Sequence, residues 1–488
     1  MNNLPLDIIQ YEIVKYLDQI DLLCYRLISH KFNYIVLNID FIFNIKSDII
    51  EYLIKNKIHY RHIISFKNIS VNILNINNNK LCDDDFQYIQ GIHTLYILWC
   101  KNLTDKAFQH LKNINTLYIS ACNNKNITNK AFEYLQNIKK LNINGCKHFT
   151  DNIFKYLHNL SELNISECIQ FSDKAFKNLE NIKILNISWC SLSLINDNIF
   201  QYLKSIKHLD ISHCNQFTDE AFKNLQNLES LIINWCEQKT ITDKTFNYLS
   251  NLHTLKMHYC NQKTITSEAF KKCKKLKTLD ISGCVQFTDE YFKHLKNLKT
   301  LKMVECEQKT LTNKAFQYLS NLCNLNISSC IQFKDDIFKY LKNLKKLNIS
   351  FCTQFTDNAF EHLKNLKILD ISFCTQFSDK AFQYFSNLDT LYMEYCNQSL
   401  ITNNAFKYLK NLSKLYMDDC EQKTITNEAF KYLTNLSELY MSGCDQKTIS
   451  DEAFDYLKNL KILYIVQCTQ ISNKCKIKLK KKIMNVKY

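Results

Sequence analysis

Seventeen cysteines recur at one place in a repeated segment: Cys100, Cys122, Cys146, Cys168, Cys190, Cys214, Cys236, Cys260, Cys284, Cys306, Cys330, Cys352, Cys374, Cys396, Cys420, Cys444 and Cys468. Their spacing is always 22 or 24 residues, eight times each. A chain made of copies of one short unit buries its apolar face only by stacking neighbours, so it builds a continuous array. Short units read CVQFTDE (Cys284–Glu290) and long ones CEQKTITDK (Cys236–Lys244). The two extra residues fall between the cysteine and the next apolar anchor. Length variation therefore sits in a loop and leaves the rest of the unit unchanged.

Before each cysteine runs L-x-x-L-x-I-x-x-C, as in LKTLDISGC, Leu276–Cys284. Leu279 and Ile281 alternate with the period of a short strand that buries one face. After the cysteine, FTDEYFKHLKNL predicts a helix start. Thr288 is suited to the N-cap, and Asp289 to the positive end of the helix dipole. Phe292 and Leu295 share a face, and in most repeats an alanine joins them, as in Ala107, Phe108 and Leu111. Such a helix of about two turns does not persist alone. It must pack on its own strand and on its neighbours.

The unit resembles the leucine-rich repeat, specifically its cysteine-containing subclass, from roughly Leu74 to Ser472. A weaker leading unit, LNINNN (Leu74–Asn79), carries Asn79 at the cysteine position, which gives about eighteen repeats. The resemblance implies an α/β solenoid, a horseshoe in which the cysteine ends the strand and turns the chain inward. There the thiol is buried and offers a weak donor to a neighbouring carbonyl. Other uses of cysteine fit worse. Zinc sites cluster their ligands, often as C-x2-C pairs, and no such pair occurs. An odd, continuous ladder of side chains pointing one way does not form disulfides. Twenty-two cysteines behind an N-terminus, MNNLPLDIIQYE, without a secretory pattern point to a reducing compartment, cytoplasmic or nuclear. Glutamine stands two places after the cysteine in thirteen units, Gln170 and Gln286 among them, and is expected to satisfy the loop.

The first segment is not a repeat. In LPLDIIQYEIVKYLDQIDLLCYRLISHKFNYIV, Leu4–Val36, Pro5 is the only proline of the chain and suits a helix start. Ile8, Ile9, Ile13, Tyr16 and Leu17 follow at helical spacing, and Asp21 and Ser29 read as caps of two further helices. Such a short all-α module hardly holds a core alone and calls for a partner. These residues resemble an F-box, on Leu4-Pro5, Asp7, Ile8, Ile13, Leu17, Asp21-Leu22 and Ile28–Phe32, with Phe32 where the family commonly has tryptophan and Ile28 where it has valine. F-box and cysteine-type repeats together resemble the F-box/leucine-rich-repeat proteins, with a composition similar to those of giant DNA viruses. That resemblance implies a non-catalytic substrate receptor of a Skp-cullin-F-box ubiquitin ligase. The F-box would dock on a Skp-type adaptor, and through it the cullin, by Leu4, Pro5, Ile8, Ile13 and Leu22. The repeats would hold an unidentified target protein inside a host cell. A non-degradative scaffold, or a decoy that occupies the host adaptor, is the alternative.

Composition narrows the remaining classes. Four glycines and one proline exclude Gly-rich phosphate loops, and no run of about 18 apolar residues offers a membrane span. The net charge is +15, but only Arg26 and Arg61 are arginine, and the lysines are spread over the chain. Spread lysine reads as solvated surface, so no nucleic-acid partner is expected. The dense run KCKIKLKKKIMNVKY, Lys474–Tyr488, reads as a solvated end cap, with an import signal or a polyanion contact as alternatives. No catalytic motif, metal site or cofactor site is present in the sequence. The expected organisation is an F-box at 1–45, a helical connector at 46–70, the solenoid at 71–473 and a basic tail at 474–488.

The repeat frame also marks a target-binding surface. The strand position four before the cysteine points outward and holds Tyr392, Tyr416, Tyr440 and Tyr464 in the last four units. Glu394 and Asp418 lie two before the cysteine, and Tyr395 and Asp419 one before it. The latter position also holds Trp99, Trp189 and Trp235, with Tyr259, Phe351 and Phe373, some of which would pack against one another. Tyrosine gives a large contact area at low entropy cost. The same column also satisfies strand propensity, and polar residues serve there in the middle repeats. A basic or mixed-charge segment is the expected ligand of the C-terminal strip.

Overall fold

The computed structural model describes residues 82–488 except 90–91, 99–101, 121–123, 191–193, 398–399 and 484, with the backbone of two earlier strands, Phe43–Ile45 and Ile69–Ile73. Leu4, Pro5, Ile8, Ile13, Leu22 and Trp99 lie outside the described residues. The chain forms two compact units, Met1–Leu228 and Glu229–Tyr488.

In the first unit the strands Ile69–Ile73, Thr94–Leu98, Thr116–Ser120, Lys140–Asn142, Glu162–Asn164, Ile184–Asn186 and His208–Asp210 pair in chain order, all parallel. In the second, a parallel series runs from Ser230–Ile232 to Asn485–Lys487. Each unit is a leucine-rich-repeat solenoid, and repeated copies running one way give parallel strands. Leu279 stands in register with Leu255 and Leu301, so each anchor column is continuous. Leu279, Ile281, Cys284, Phe292 and Leu295 are at most 1% exposed. Full burial of one such aliphatic or aromatic side chain contributes about 1.5–3 kcal/mol.

The helical returns are about one to two turns long, and most are wound more tightly than an α-helix. Most are short 3-10 helices, such as Asp289–His294, and a few are α-helical, such as Asp243–Tyr248. Bonds from Ala107 N–H to the Thr104 carbonyl (3.2 Å) and from Leu111 N–H to that of Phe108 (2.9 Å) show the tight i→i−3 pattern. Thr104 caps its turn by accepting from the Lys106 N–H at 3.2 Å. Thr288 is extended as a cap residue but makes no side-chain cap bond.

The aspartate of the first turn does more than meet a dipole. Asp289 accepts from both the N–H (2.7 Å) and the hydroxyl (2.6 Å) of Thr312, the cap residue of the next repeat. Asp105 binds Thr128 in the same way, and Asp379 binds Thr402. Where asparagine replaces the aspartate, as in Asn403, it accepts the Thr426 N–H (2.9 Å) and donates to its hydroxyl (2.9 Å). Both kinds fasten a turn to its neighbour, and those of the aspartates are charge-assisted.

The leading repeat is displaced from its expected place. Ser70–Ile73 pair with Thr94–Ile97, so Val71 and Ile73 take the anchor positions instead of Leu74 and Ile76. Position 76, not Asn79, then aligns with the cysteines. Val71 faces Leu95, an offset of 95 − 71 = 24 residues, which is the long repeat length; the expected frame gave 100 − 79 = 21, which is neither length. The β-branched pair also suits a strand. Upstream, Phe43–Ile45 pairs with Ile69–Val71, so the sheet starts before residue 71 and inside the segment expected to be all helical.

At the other end, residues 474–488 continue the fold. The helix Asn473–Lys482 is capped by Ser472, which accepts the Cys475 N–H at 3.1 Å, and it buries Cys475 and Leu479. The strand Asn485–Lys487 then pairs with Ile462–Tyr464. This lysine-rich segment thus packs on the preceding repeat through its strand and through Cys475 and Leu479.

The cysteine ladder has the geometry its position implied. The fifteen repeat cysteines from Cys146 to Cys468 are fully buried and unbridged. The thiol of Cys284 donates to the Met257 carbonyl at 2.9 Å and that of Cys374 to the Ile349 carbonyl at 3.2 Å, in each case the second strand anchor of the preceding repeat. Burial pushes the Cys168 and Cys468 thiols up to about 11 and those of Cys190 and Cys306 up to about 12. Such thiols are inert. Several glutamines satisfy the loop through Nε2: that of Gln286 donates to the Cys260 carbonyl at 2.7 Å and that of Gln354 to the Cys330 carbonyl at 2.9 Å, whereas Gln446 makes no such bond.

Candidate binding site

The side chains left over for function stand on the strand face and at the turn that follows it. In the second unit Tyr392, Tyr416, Tyr440 and Tyr464 occupy matched positions of adjacent strands. Their rings stack at 4.3, 4.4 and 4.6 Å between centroids, with interplanar angles of 13°, 12° and 25°. Parallel pairing about 4.8 Å apart forces this once four consecutive copies carry tyrosine. The rings are half-buried. In the first unit Tyr96 and Tyr118 stack likewise, at 4.3 Å and 6°.

The residue before the cysteine is conformationally unusual. Every described one, from Gly145 to Gln467, has φ between 52° and 70°. The cause is local: the Cys284 N–H bonds the Ile281 carbonyl at 3.0 Å, which closes a four-residue turn with a left-handed third residue. Only Gly145, Gly283 and Gly443 supply glycine there. A side chain at such a position costs on the order of 1–2 kcal/mol. Phe351, Phe373 and Tyr395 nevertheless occupy it in consecutive repeats, stacked at 4.1 and 4.5 Å. Phe351 is 50% exposed and Tyr395 46%. Gly283 is explained differently: a Cβ there would come within 2.5 Å of the Tyr259 ring, whose hydroxyl crosses that repeat to donate to Glu305.

Beside the C-terminal strip lie carboxylates. Desolvation, then Asp418, Asp370 and Asp419, hold the Glu394 carboxyl above its usual range. Desolvation and Asp419 do the same to Asp418, against the Ser442 N–H that donates to it at 2.5 Å. Glu438, in contrast, is paired with Lys414 at 2.7 Å. No lysine or arginine pairs with Glu394 or Asp418 among the described residues.

The family model described as "BspA type Leucine rich repeat region (6 copies)" matches residues 53–183, 101–229, 169–299, 239–367 and 353–479. The chain belongs to the BspA-type leucine-rich-repeat family. No curated protein matches it. Among solved structures it is similar to a chain of "Crystal structure of TLR13-ssRNA13 complex", at TM-score 0.58 and 20% identity over 82% of this chain and 62% of that one. It is similar also to a chain of the mouse RP105/MD-1 complex, at TM-score 0.58 and 15% identity over 87% and 83%. The chain thus spans 62% of the first of these relatives. Both likenesses are of fold alone.

Within this BspA-type array the predicted site residues fall into separate groups. Tyr392, Glu394, Tyr395, Tyr416, Asp418, Asp419, Tyr440 and Tyr464 come from four consecutive repeats and form one strip. Trp189 belongs to the first unit and stacks on His213 at 3.4 Å; Trp235 stacks on Tyr259 at 4.2 Å, several repeats before the strip. Asp370 joins the strip from the preceding repeat, where it occupies the same strand position as Tyr392. Its place in the repeat frame was legible; its electrostatic weight beside Glu394 was not. The family and the fold are those of a repeat scaffold suited to binding protein or another ligand.

Proposed function

We propose that the chain is a non-catalytic receptor that binds a target protein on the strand face of its repeats and brings it to a ubiquitin ligase. Residues 1–45 supply the docking module, with Leu4, Pro5, Ile8, Ile13 and Leu22 on a Skp-type adaptor and the cullin beyond it. The sequence resemblance of this segment to an F-box supports that part. The observation that supports target binding is the four-tyrosine stack beside carboxylates that no lysine or arginine pairs with among the described residues. Aromatic side chains that bury area at little entropic cost are the usual energetic centre of a protein interface. The reading entails a reducing compartment, cytoplasmic or nuclear, in which buried thiols stay reduced.

Affinity purification of the full chain and of a chain lacking residues 1–45 tests it. Adaptor and cullin are expected to vanish with the deletion, while target proteins remain. Cullin retained by the truncated chain, or by the Leu4→Ala/Pro5→Ala double variant, would refute the docking module.

A further inference from the structure

Three features of the second unit are unexplained by packing. Phe351 and Tyr395 sit exposed, and Phe373 half-buried between them, at left-handed positions where the same protein uses glycine in other repeats. Their backbone needs no ring, and their strain is offset only in part by mutual stacking, worth about 0.5–1.5 kcal/mol per pair. Glu394 precedes Tyr395 in the chain, Asp418 holds the equivalent place in the next repeat, and the two carboxylates repel one another with no lysine or arginine paired to either among the described residues. The tyrosine stack borders the same carboxylates: Tyr392, Glu394 and Tyr395 belong to one repeat, Tyr416 and Asp418 to the next.

We infer that this strip, Phe351, Phe373 and Tyr395 with the tyrosine stack and the Glu394–Asp418 pair, is the docking surface for a lysine- or arginine-bearing extended segment of another protein. The inference deepens the binding reading above and rests on it. Charge complementarity selects the occupant. The two carboxylates supply the counter-charge for an ammonium or guanidinium group, and the rings cover its alkyl stem and adjoining side chains. The three ring-to-ring steps of the tyrosine stack, 4.3, 4.4 and 4.6 Å, match the length of about four residues of extended chain. A motif of that size, with one or two basic residues, fits the strip. An acidic segment does not, because it would meet Asp370, Glu394, Asp418 and Asp419 together.

The net charge of +15 makes the test discriminating, because bulk attraction favours acidic ligands. The probes are two fluorescent peptides, alternating lysine with threonine and glutamate with threonine, titrated with the purified full chain at physiological salt. The lysine peptide is expected to bind and the glutamate peptide not. Glu394→Gln with Asp418→Asn keeps shape and removes charge; it is expected to weaken binding at least about tenfold. Phe373→Ala is expected to weaken it too, and Glu162→Gln, at a carboxylate paired with Lys140 in the first unit, to leave it unchanged. Urea midpoints of each variant establish that the repeats remain folded. Equal binding by the charge-neutral variant, or preference for the glutamate peptide, would overturn the inference. So would self-association of the wild type that the charge-neutral variant loses, because the occupant would then be a second copy. Adaptor capture is independent of these peptides, so failure here with capture intact refutes the strip alone, and loss of capture leaves the strip standing.

Discussion

Raising the pH above the ordinary thiol range should destabilise this protein strongly. The physical reason is the ladder of thiols. Fifteen repeat cysteines are fully buried, and burial raises those with resolved shifts, up to about 11 or 12 at Cys168, Cys190, Cys306 and Cys468. In an unfolded chain a thiol ionises near 8.5. Between these values the unfolded state has released protons that the folded state still holds. Stability therefore falls as pH rises through the unfolded value, and it is fully present below it. At pH 9.5 each such thiol costs about 1.4 kcal/mol, so a cooperative block of four repeats loses about 5–6 kcal/mol. With a urea slope of about 1–3 kcal/mol per molar, the midpoint should drop by roughly 2 M or more between pH 7 and pH 9.5. The assay is urea unfolding followed by circular dichroism in a phosphine reductant at both pH values. A midpoint that moves by less than about 0.3 M would refute the argument, because several buried neutral thiols cannot leave stability independent of pH over that interval.

Other outcomes follow from individual contacts. Cys284→Ser is expected to destabilise the fold by about 1–3 kcal/mol, since a hydroxyl replaces a nearly apolar group in a dry site; native thiol titration should label few cysteines and denatured protein all 22. Asp289→Ala removes both acceptors of Thr312 and is expected to cost about 1–3 kcal/mol by urea unfolding, with Asp289→Asn milder because Asn403 already serves at the equivalent place. Gly283→Ala forces a side chain into φ +69° and against the Tyr259 ring. It is expected to lower the melting temperature, at a cost of about 1–2 kcal/mol, and to shift Trp235 fluorescence through the Trp235–Tyr259 stack.

The pattern of residues by itself determined the repeat, its two lengths, the anchors Leu279, Ile281, Phe292 and Leu295, and the burial of the cysteine. It could do so because each unit's surroundings are a copy of the unit, so a short-range period already encodes the long-range packing. It also marked the tyrosine column, because parallel stacking brings equivalent positions together. Other features were decided only in three dimensions. The left-handed residue before each described repeat cysteine from Cys146 to Cys468 is hidden behind Trp, Phe, Tyr, His, Ser, Gln, Asp and Glu, with glycine at just three places, because a turn shared by these repeats imposes the conformation whatever the side chain. The aspartate that reads locally as a dipole partner binds a threonine 23 residues later, a contact that exists only once two repeats are stacked. The leading strand settled on Val71 and Ile73 because pairing with Thr94–Ile97 sets the register, and two equally alternating apolar pairs lie within reach of it. The unpaired state of Glu394 and Asp418 is likewise tertiary: a chain with 62 basic residues places none against them among the described residues, and only the folded surface shows where that charge is missing.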